Sequence, residues 1–350
     1  VTTRYLVTGG SGYFGSRLVQ TLHRRGTAVR VLDVNDADDR PADVEFVRGD
    51  VRDIDVVRAA VDGVDVVLNN VAQVPLAQDP ALLRTVNVGG TVNLLATARD
   101  AGVSKVVHTS SSAIFGIPAQ NPVMPDTVPA PMEPYGHAKL AAEWACLAAA
   151  RDGVDVSIVR PRTILGHGRL GIFGILFDWI ADGYDPIVLG DGSNRYQFVH
   201  SDDMADVCLL AAEKPGPGTF NVGTDRFGTM RETIADLCAH AGTGAEVRTL
   251  REGPASLAMR TTARLGLTPF APYHWMMYAH SMWFDLEHLE RQLGWSPTWS
   301  TGEMFAQSYD HYLAHRADST DEVRSHHRRT AEQGVLRLAR HVSGLLPAAR

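Results

Sequence analysis

The chain has 350 residues, is 45% hydrophobic and 21% charged, and carries a formal net charge of -7. These values are ordinary for a globular protein large enough to bury at least one sizeable core. The charge is modest and spread out, so no basic stripe argues for nucleic acid, and no apolar run approaches the roughly 20 residues needed to span a bilayer. Cys146, Cys208 and Cys238 are far apart with no paired metal-ligand spacing. Together with an N-terminus lacking a signal-peptide pattern, they lead us to expect a reduced, cytoplasmic protein with no metal and no membrane partner.

Through the first half, short apolar runs alternate with helical stretches, the pattern of parallel strands joined by crossover helices. Strands are expected near Tyr5 to Thr8, Ala28 to Asp33, Val44 to Arg48, Asp65 to Leu68, Lys105 to Ser110 and Asp155 to Arg160. Helices fill Gly12 to Arg25, Asp53 to Ala60, Pro80 to Ala101 and Pro134 to Arg151. The fold class is therefore α/β, a doubly wound parallel sheet over residues 1–162.

After Arg160 the rhythm breaks at "RPRTILGHGRLGIFG". "YQFVHSDDMADVCLLAAE" reads as a strand end feeding a helix and "GTFNVG" as one more strand, so the chain is expected to return to the first sheet over about 195–227. A smaller, interleaved C-terminal lobe then occupies 163–315. In "FDLEHLERQLGWSP", Asp285 suits the N-cap of a short helix, Gly294 its stop and Pro297 lies beyond. The basic, loosely periodic stretch 316–350 is left as a tail.

The glycines of "VTGGSGYFG", Gly9, Gly12 and Gly15, follow a strand and open a helix. Missing side chains there let backbone N–H groups approach a pyrophosphate at the helix N-terminus, although a tight turn alone would look similar. Asp33 ends the next strand at about the ~20-residue spacing of a carboxylate that accepts from an adenosine ribose. A charge there repels a 2'-phosphate, which favours NAD over NADP; a solvated aspartate in the acidic run "DVNDADD" is the plainer alternative. Asp50 in "RGDVRD" could accept from an adenine amino group or cap the following helix.

Tyr135 and Lys139 in "PYGHAK" lie four apart on one helix, hence on one face. A nearby ammonium favours the phenolate and makes tyrosine a usable base near neutral pH. The chain has only three lysines, Lys105, Lys139 and Lys214, and only Lys139 stands four residues after a tyrosine. A surface pair at this spacing is the bland alternative, and His137 between them reads as a surface residue.

Taken together, "TGGSGYFG", "VHTSSSAIFG", "YGHAK" and "RYQFVHSDD" resemble, in order, the motifs of an extended short-chain dehydrogenase/reductase of the NAD-dependent epimerase/dehydratase family, over about Arg4 to Leu313. The resemblance implies a Rossmann sheet, NAD contacts from Gly9, Gly12, Tyr13, Phe14, Gly15, Asp33, Asp50, Val51, Val71, Ala72, Tyr135 and Lys139, and a homodimer. It places the catalytic hydroxyl at Ser111, beside Tyr135 and Lys139, with the register within Ser110 to Ser112 open by one residue. Where the family has His-x-Ala-Ala, this chain reads "NNVAQ" from Asn69 to Gln73, so Asn69 and Val71 are expected to alter the lining near the nicotinamide.

Family dehydratases and decarboxylases use an acid two positions after the serine or threonine. Ala113 stands there, which argues for returning the hydride. Nucleotide-sugar binding is expected from Ser112, Arg162, Thr163 and Arg195. Arg195 matches a family arginine that contacts the diphosphate, with an ion pair to Asp202 or Asp203 as the alternative. Arg162 departs from the pattern and could instead meet a carboxylate, as in a hexuronic acid. The expected activity is epimerisation of a UDP-hexose or UDP-hexuronic acid. The main competitor is dehydrogenation of a hydrophobic, steroid- or terpenoid-like alcohol, which the aromatic segment Phe270, Tyr273, Trp275, Tyr278, Trp283 and Phe284 would suit if it is not simply core. A non-catalytic nucleotide sensor would have lost the Tyr-Lys pair.

Overall fold

The computed structural model describes residues 3–74, 79–168, 170–265, 267–268, 277–316 and the single positions 343 and 346. Seven strands build one parallel sheet: β1 (Arg4–Thr8), β2 (Ala28–Asp33), β3 (Glu45–Arg48), β4 (Val66–Asn69), β5 (Lys105–Thr109), β6 (Val156–Pro161) and, much later in the chain, Gly218–Val222. Their spatial order places β3, β2 and β1 on one side, then β4, β5 and β6, with Gly218–Val222 at the far edge beside β6. Building reverses direction between β1 and β4, where Thr8 and Asn69 are in register. That reversal leaves a crevice beyond the strands' carboxyl ends, the place where such sheets bind ligands.

The inner strands are rich in Val, Ile and Leu because both faces are covered, whereas the edge strand β3, EFVR, is only partly buried. One face carries α1 (Tyr13–Arg24) and the helix Ser201–Glu213, whose Leu18, Val19, Leu22, Met204, Val207 and Cys208 share a core. The other carries α2 (Ile54–Val61), α3 (Pro80–Leu83) running through a π-helical segment Arg84–Gly90 into α4 (Thr91–Asp100), and α5 (Pro134–Arg151). The single helix expected from Pro80 to Ala101 is thus broken in register. At its end the backbone lies directly on Val51: a Cβ on Gly90 would stand 2.4 Å from a Val51 methyl.

Two short parallel pairs lie outside the sheet. Thr163–Leu165 pairs with Phe198–His200, and Ile187–Leu189 pairs with Arg248–Leu250. They pack with the helices Ile172–Ala181, Met230–Ala241 and Thr301–Ala314 around a second core of Phe173, Phe177, Phe198, Phe305 and Tyr309, whose rings meet mostly edge-on. The short helix Glu287–Leu293 has Leu286, not Asp285, at its N-cap; Asp285 still accepts from the Glu287 N–H at 3.1 Å, and Gly294 ends the helix with φ 63°. No helix among the described residues is long and apolar enough to cross a membrane.

The aromatic segment does not form one core. Phe270, Tyr273 and Trp275 lie outside the described residues. Tyr278 packs on the second core, Trp283 lies beside Phe227, and Phe284 meets Phe115 in a small cluster with Ile114, Val123, Leu140 and Met282. Most of the tail from 316 to 350 likewise lies outside the described residues.

Candidate active site

The glycine loop is shaped by backbone approach. Gly9 takes φ +66°, and a Cβ on it would stand 2.9 Å from the Val71 backbone. A Cβ on Gly15 would stand 2.0 Å from the Gly9 carbonyl oxygen, so no side chain can replace that hydrogen while α1 keeps its seat. Gly12 caps α1 with no side-chain hydrogen bond, leaving the helix's first N–H groups turned toward the crevice. Tyr13 and Phe14 bury their side chains in the core.

Asp33 closes the loop from the next strand. Its carboxylate accepts from the Ser11 N–H at 3.1 Å and the Asn35 N–H at 3.2 Å; burial pushes its pKa up and these donors oppose the shift. A dinucleotide fits this arrangement: an uncapped helix N-terminus, glycines at the closest approaches, and a partly buried carboxylate at the loop's edge.

Asp50 neither caps α2 nor stands clear. Asp53 is the cap, and Asp50 instead holds Arg52, accepting from its guanidinium at 2.6 Å, which keeps its pKa low. Val51 is buried against Gly90, and Val71 and Ala72 are half-buried beside the crevice. Asn69 is not a lining residue. It is 1% exposed, accepts from Thr8 Oγ1 at 2.8 Å and contacts His108 Nδ1 at 3.0 Å through its amide. That amide ties β1, β4 and β5 together beneath the crevice, and burial holds His108 well below its ordinary pKa.

Helix α5 begins at the site. Glu133 caps it, accepting from the Tyr135 N–H at 2.8 Å and the Gly136 N–H at 2.6 Å. Gly136 has no side chain because a Cβ there would sit 2.5 Å from the Ala113 carbonyl oxygen. The first turn of α5 therefore rests on the 3-10 turn Ser112–Phe115. One turn on, Lys139 is 3% exposed and donates from Nζ to the Thr109 carbonyl at 2.8 Å. Burial brings its ammonium down to about 8, with Cys146 and Glu143 opposing the shift. Glu143 is taken by Arg160, whose Nε and Nη2 reach its two oxygens at 2.9 and 2.7 Å. His137 is exposed.

The three serines take different environments. Ser111 is half-buried and its Oγ accepts from the Ala113 N–H at 3.1 Å. Ser110 is buried with no hydrogen-bond partner for Oγ among the described residues, and Ser112 is buried and accepts from Arg162 Nη1 at 2.8 Å. Lys139 and Ser111 thus lie at the carboxyl end of β5, and the backbone of Gly136, next to Tyr135, rests on the loop that follows it.

Arg162 is 1% exposed. Its guanidinium stacks over Tyr196 at 4.4 Å, and Nη1 also reaches Met282 Sδ at 3.1 Å. Nε and Nη2 find no partner, and no carboxylate pairs with it among the described residues. Drying an ion costs several kcal/mol even after relaxation, and a desolvated cation–π contact returns about 2. Thr163 lies beside Arg162 and shares a 3.2 Å hydrogen bond with Tyr196. Arg195 is exposed over the rings of Phe227 and Trp283, at 4.7 and 5.0 Å. It pairs with neither expected acid: Asp202 is held by Arg17, and Asp203 accepts from Thr298 and Trp299.

Sequence reasoning missed Thr109, Asn70, Glu133 and Met282. Asn70 accepts from Thr109 Oγ1, steadying the strand end that receives Lys139. Of these only Glu133 left a local signal, an acceptor immediately before the helix-opening "PYG".

Comparison with known proteins agrees with this geometry. Residues 5–223 match the profile of the NAD dependent epimerase/dehydratase family. Protein y4nG of Sinorhizobium fredii is 46% identical, covering 98% of this chain and 87% of its own. UDP-glucose 4-epimerase of Mycolicibacterium smegmatis is 33% identical over 68% of this chain and 83% of its own. Human sterol-4-alpha-carboxylate 3-dehydrogenase, decarboxylating, is 31% identical over 60% of this chain and 58% of its own. The structure of UDP-glucose 4-epimerase from Thermotoga maritima with UDP-glucose superposes with a TM-score of 0.76 at 24% identity, over 89% of this chain and 99% of that one, a likeness of fold.

Proposed function

We propose that this chain, which belongs to the NAD dependent epimerase/dehydratase family, is an epimerase of a nucleotide sugar, a UDP-hexose or UDP-hexuronic acid. It is an NAD-dependent enzyme of the extended short-chain dehydrogenase/reductase type. The observation that supports the finer reading is the close approach of Gly136, next to Tyr135, to the Ala113 carbonyl, which puts a methyl-bearing residue where an acid would be needed for elimination.

The glycine loop and Asp33 hold the cofactor, whose chemistry when bound is reversible acceptance of a hydride. Tyr135 removes the proton from the sugar hydroxyl, and the Lys139 ammonium one helical turn away favours the phenolate that does so. Ser111 Oγ shares the same substrate oxygen and fixes its direction. The transient ketone meets no ionisable group at position 113, so it is reduced again, and reduction from the other face inverts the carbon. Arg195, held over two aromatic rings, offers its fork to the diphosphate. Exposed Val92, Trp144 and Leu147 on α4 and α5 suit a homodimer contact, and three buried free thiols suit a reducing cytoplasm.

The second reading is dehydrogenation of a hydrophobic alcohol, favoured by the sterol dehydrogenase relative and by Met282 and Phe284 near the serine loop. Incubation with a panel of UDP-sugars, followed by NMR of the products, separates the two. Inversion without free NADH supports the epimerase, and it should disappear, about 10²- to 10⁴-fold, in Tyr135→Phe. NADH accumulation with sterols and no reaction of any sugar nucleotide would replace it.

A further inference from the structure

We infer that the sugar carries a carboxylate and that Arg162 is the residue that reads it. The inference rests on the nucleotide-sugar reading and names its substrate class. Two arginines stand two residues apart at the end of β6 and meet opposite fates. Arg160 presents the side-on edge of its guanidinium, Nε and Nη2, to both oxygens of Glu143. Arg162 has that same edge, Nε and Nη2, without a partner among the described residues, although it is 1% exposed.

The remaining nitrogen, Nη1, is fixed by Ser112 Oγ at 2.8 Å. Tyr196 at 4.4 Å and Phe284 at 5.8 Å hold the guanidinium plane. A planar fork, locked in place and lacking its anion, matches a carboxylate in shape and charge. The hydroxymethyl group of a neutral hexose offers one hydroxyl to two donors and leaves the charge uncompensated.

Position selects the carboxylate over the diphosphate. Arg162 is anchored to Ser112, the neighbour of Ser111, and so belongs to the reacting end of the site. The diphosphate has Arg195, exposed on its aromatic rings. Met282, unbranched and lying on Nη1 through its sulfur, is a neighbour whose side chain is able to adjust as the anion arrives. A carboxylate that gets there is out of water, where its attraction to the guanidinium is strongest.

The NAD-loaded protein is titrated with UDP-glucuronic acid and with UDP-glucose by calorimetry, and inversion of each is followed by NMR. The wild type is expected to bind and invert the hexuronate at least about tenfold better. In Arg162→Met the ratio of hexuronate to hexose kcat/KM should fall by about 100-fold, and Arg162→Lys should recover part of it. The melting temperature of sugar-free Arg162→Met should equal or exceed that of the wild type, because a buried unpaired charge has gone. Inversion of UDP-glucose without that of UDP-glucuronic acid would overturn the inference and leave the epimerase standing, as would a Met variant that lowers both substrates alike. Failure of the wild type to invert either sugar would remove the nucleotide-sugar reading and this inference with it.

Discussion

Lys139 Nζ donates to the main-chain carbonyl of Thr109 at 2.8 Å and makes no ion pair among the described residues, Glu143 on the next turn being bound to Arg160. A buried ammonium kept this way is poised to titrate near the working pH, since burial brings it from its ordinary 10.5 to about 8. In the unfolded chain the same lysine keeps its proton to about 10.5. Between these two values the unfolded state binds more protons, so this group makes stability rise with pH across that window; below about 8 both states are charged and the folded protein bears the full cost. Activity should move the other way, since the cation is what favours the Tyr135 phenolate. We predict that kcat/KM falls above about pH 8 while the wild type gains stability relative to Lys139→Met over pH 8 to 10.5, both read from rate profiles and denaturant midpoints. A stability difference independent of pH would remove the buried cation from the picture.

Asp33 should decide the cofactor. Its carboxylate already accepts from the Ser11 and Asn35 N–H groups, so it cannot swing away from a 2'-phosphate without abandoning the loop. Repulsion between like charges brought together in a site costs several kcal/mol. The wild type should therefore bind NAD at least about tenfold more tightly than NADP, and Asp33→Ser should bring the two within about threefold. Fluorescence titration of both cofactors checks this, and equal affinities in the wild type would refute it.

What the sequence made legible follows from how local each signal is. Helix α5 runs from Pro134 to Arg151 as read, because "PYG" opens it and its period is unbroken. The inner strands of the sheet were equally plain, since strands buried on both faces form short apolar runs. The break at Arg84–Gly90 was not, because the Val51 on which its backbone lies is 39 residues earlier than Gly90. Asn69 was read as lining for the same reason. Its partners Thr8, Thr91 and His108 are 61, 22 and 39 residues away, and only the sheet brings them together. Arg162 was visible as a residue out of pattern, but Met282, 120 residues on, could not be paired with it before the fold was known.

Helices α4 and α5 leave Val92, Trp144 and Leu147 exposed at 47%, 62% and 43% on neighbouring elements. A tryptophan so placed on a helix that is apolar nearly all round calls for cover from outside the chain. We expect a homodimer through this face, and Trp144→Glu should shift it to monomer at micromolar concentration, with little change in the melting of the monomer itself because the side chain is already solvated. Light scattering decides the matter, and a monomeric wild type would refute the expectation.

The last prediction concerns position 113. Ser111 Oγ accepts from the Ala113 N–H, and the Ala113 carbonyl underlies Gly136, so the residue is fixed by its backbone and contributes only a methyl group to the site. A ketone formed there has no carboxylate from this position to take the proton that elimination of water requires. We therefore expect the hydride to go back to the carbon it left and the cofactor to be regenerated in each cycle. A nucleotide sugar deuterated at the oxidised carbon should keep its label through inversion, with turnover independent of added NAD. Because untouched substrate also keeps its label, inversion and retention must be read in the same NMR sample. A stable 4-keto-6-deoxy product would show that an acid elsewhere in the site does what Ala113 cannot. Label lost to free NADH, in step with product, would instead make the enzyme a dehydrogenase.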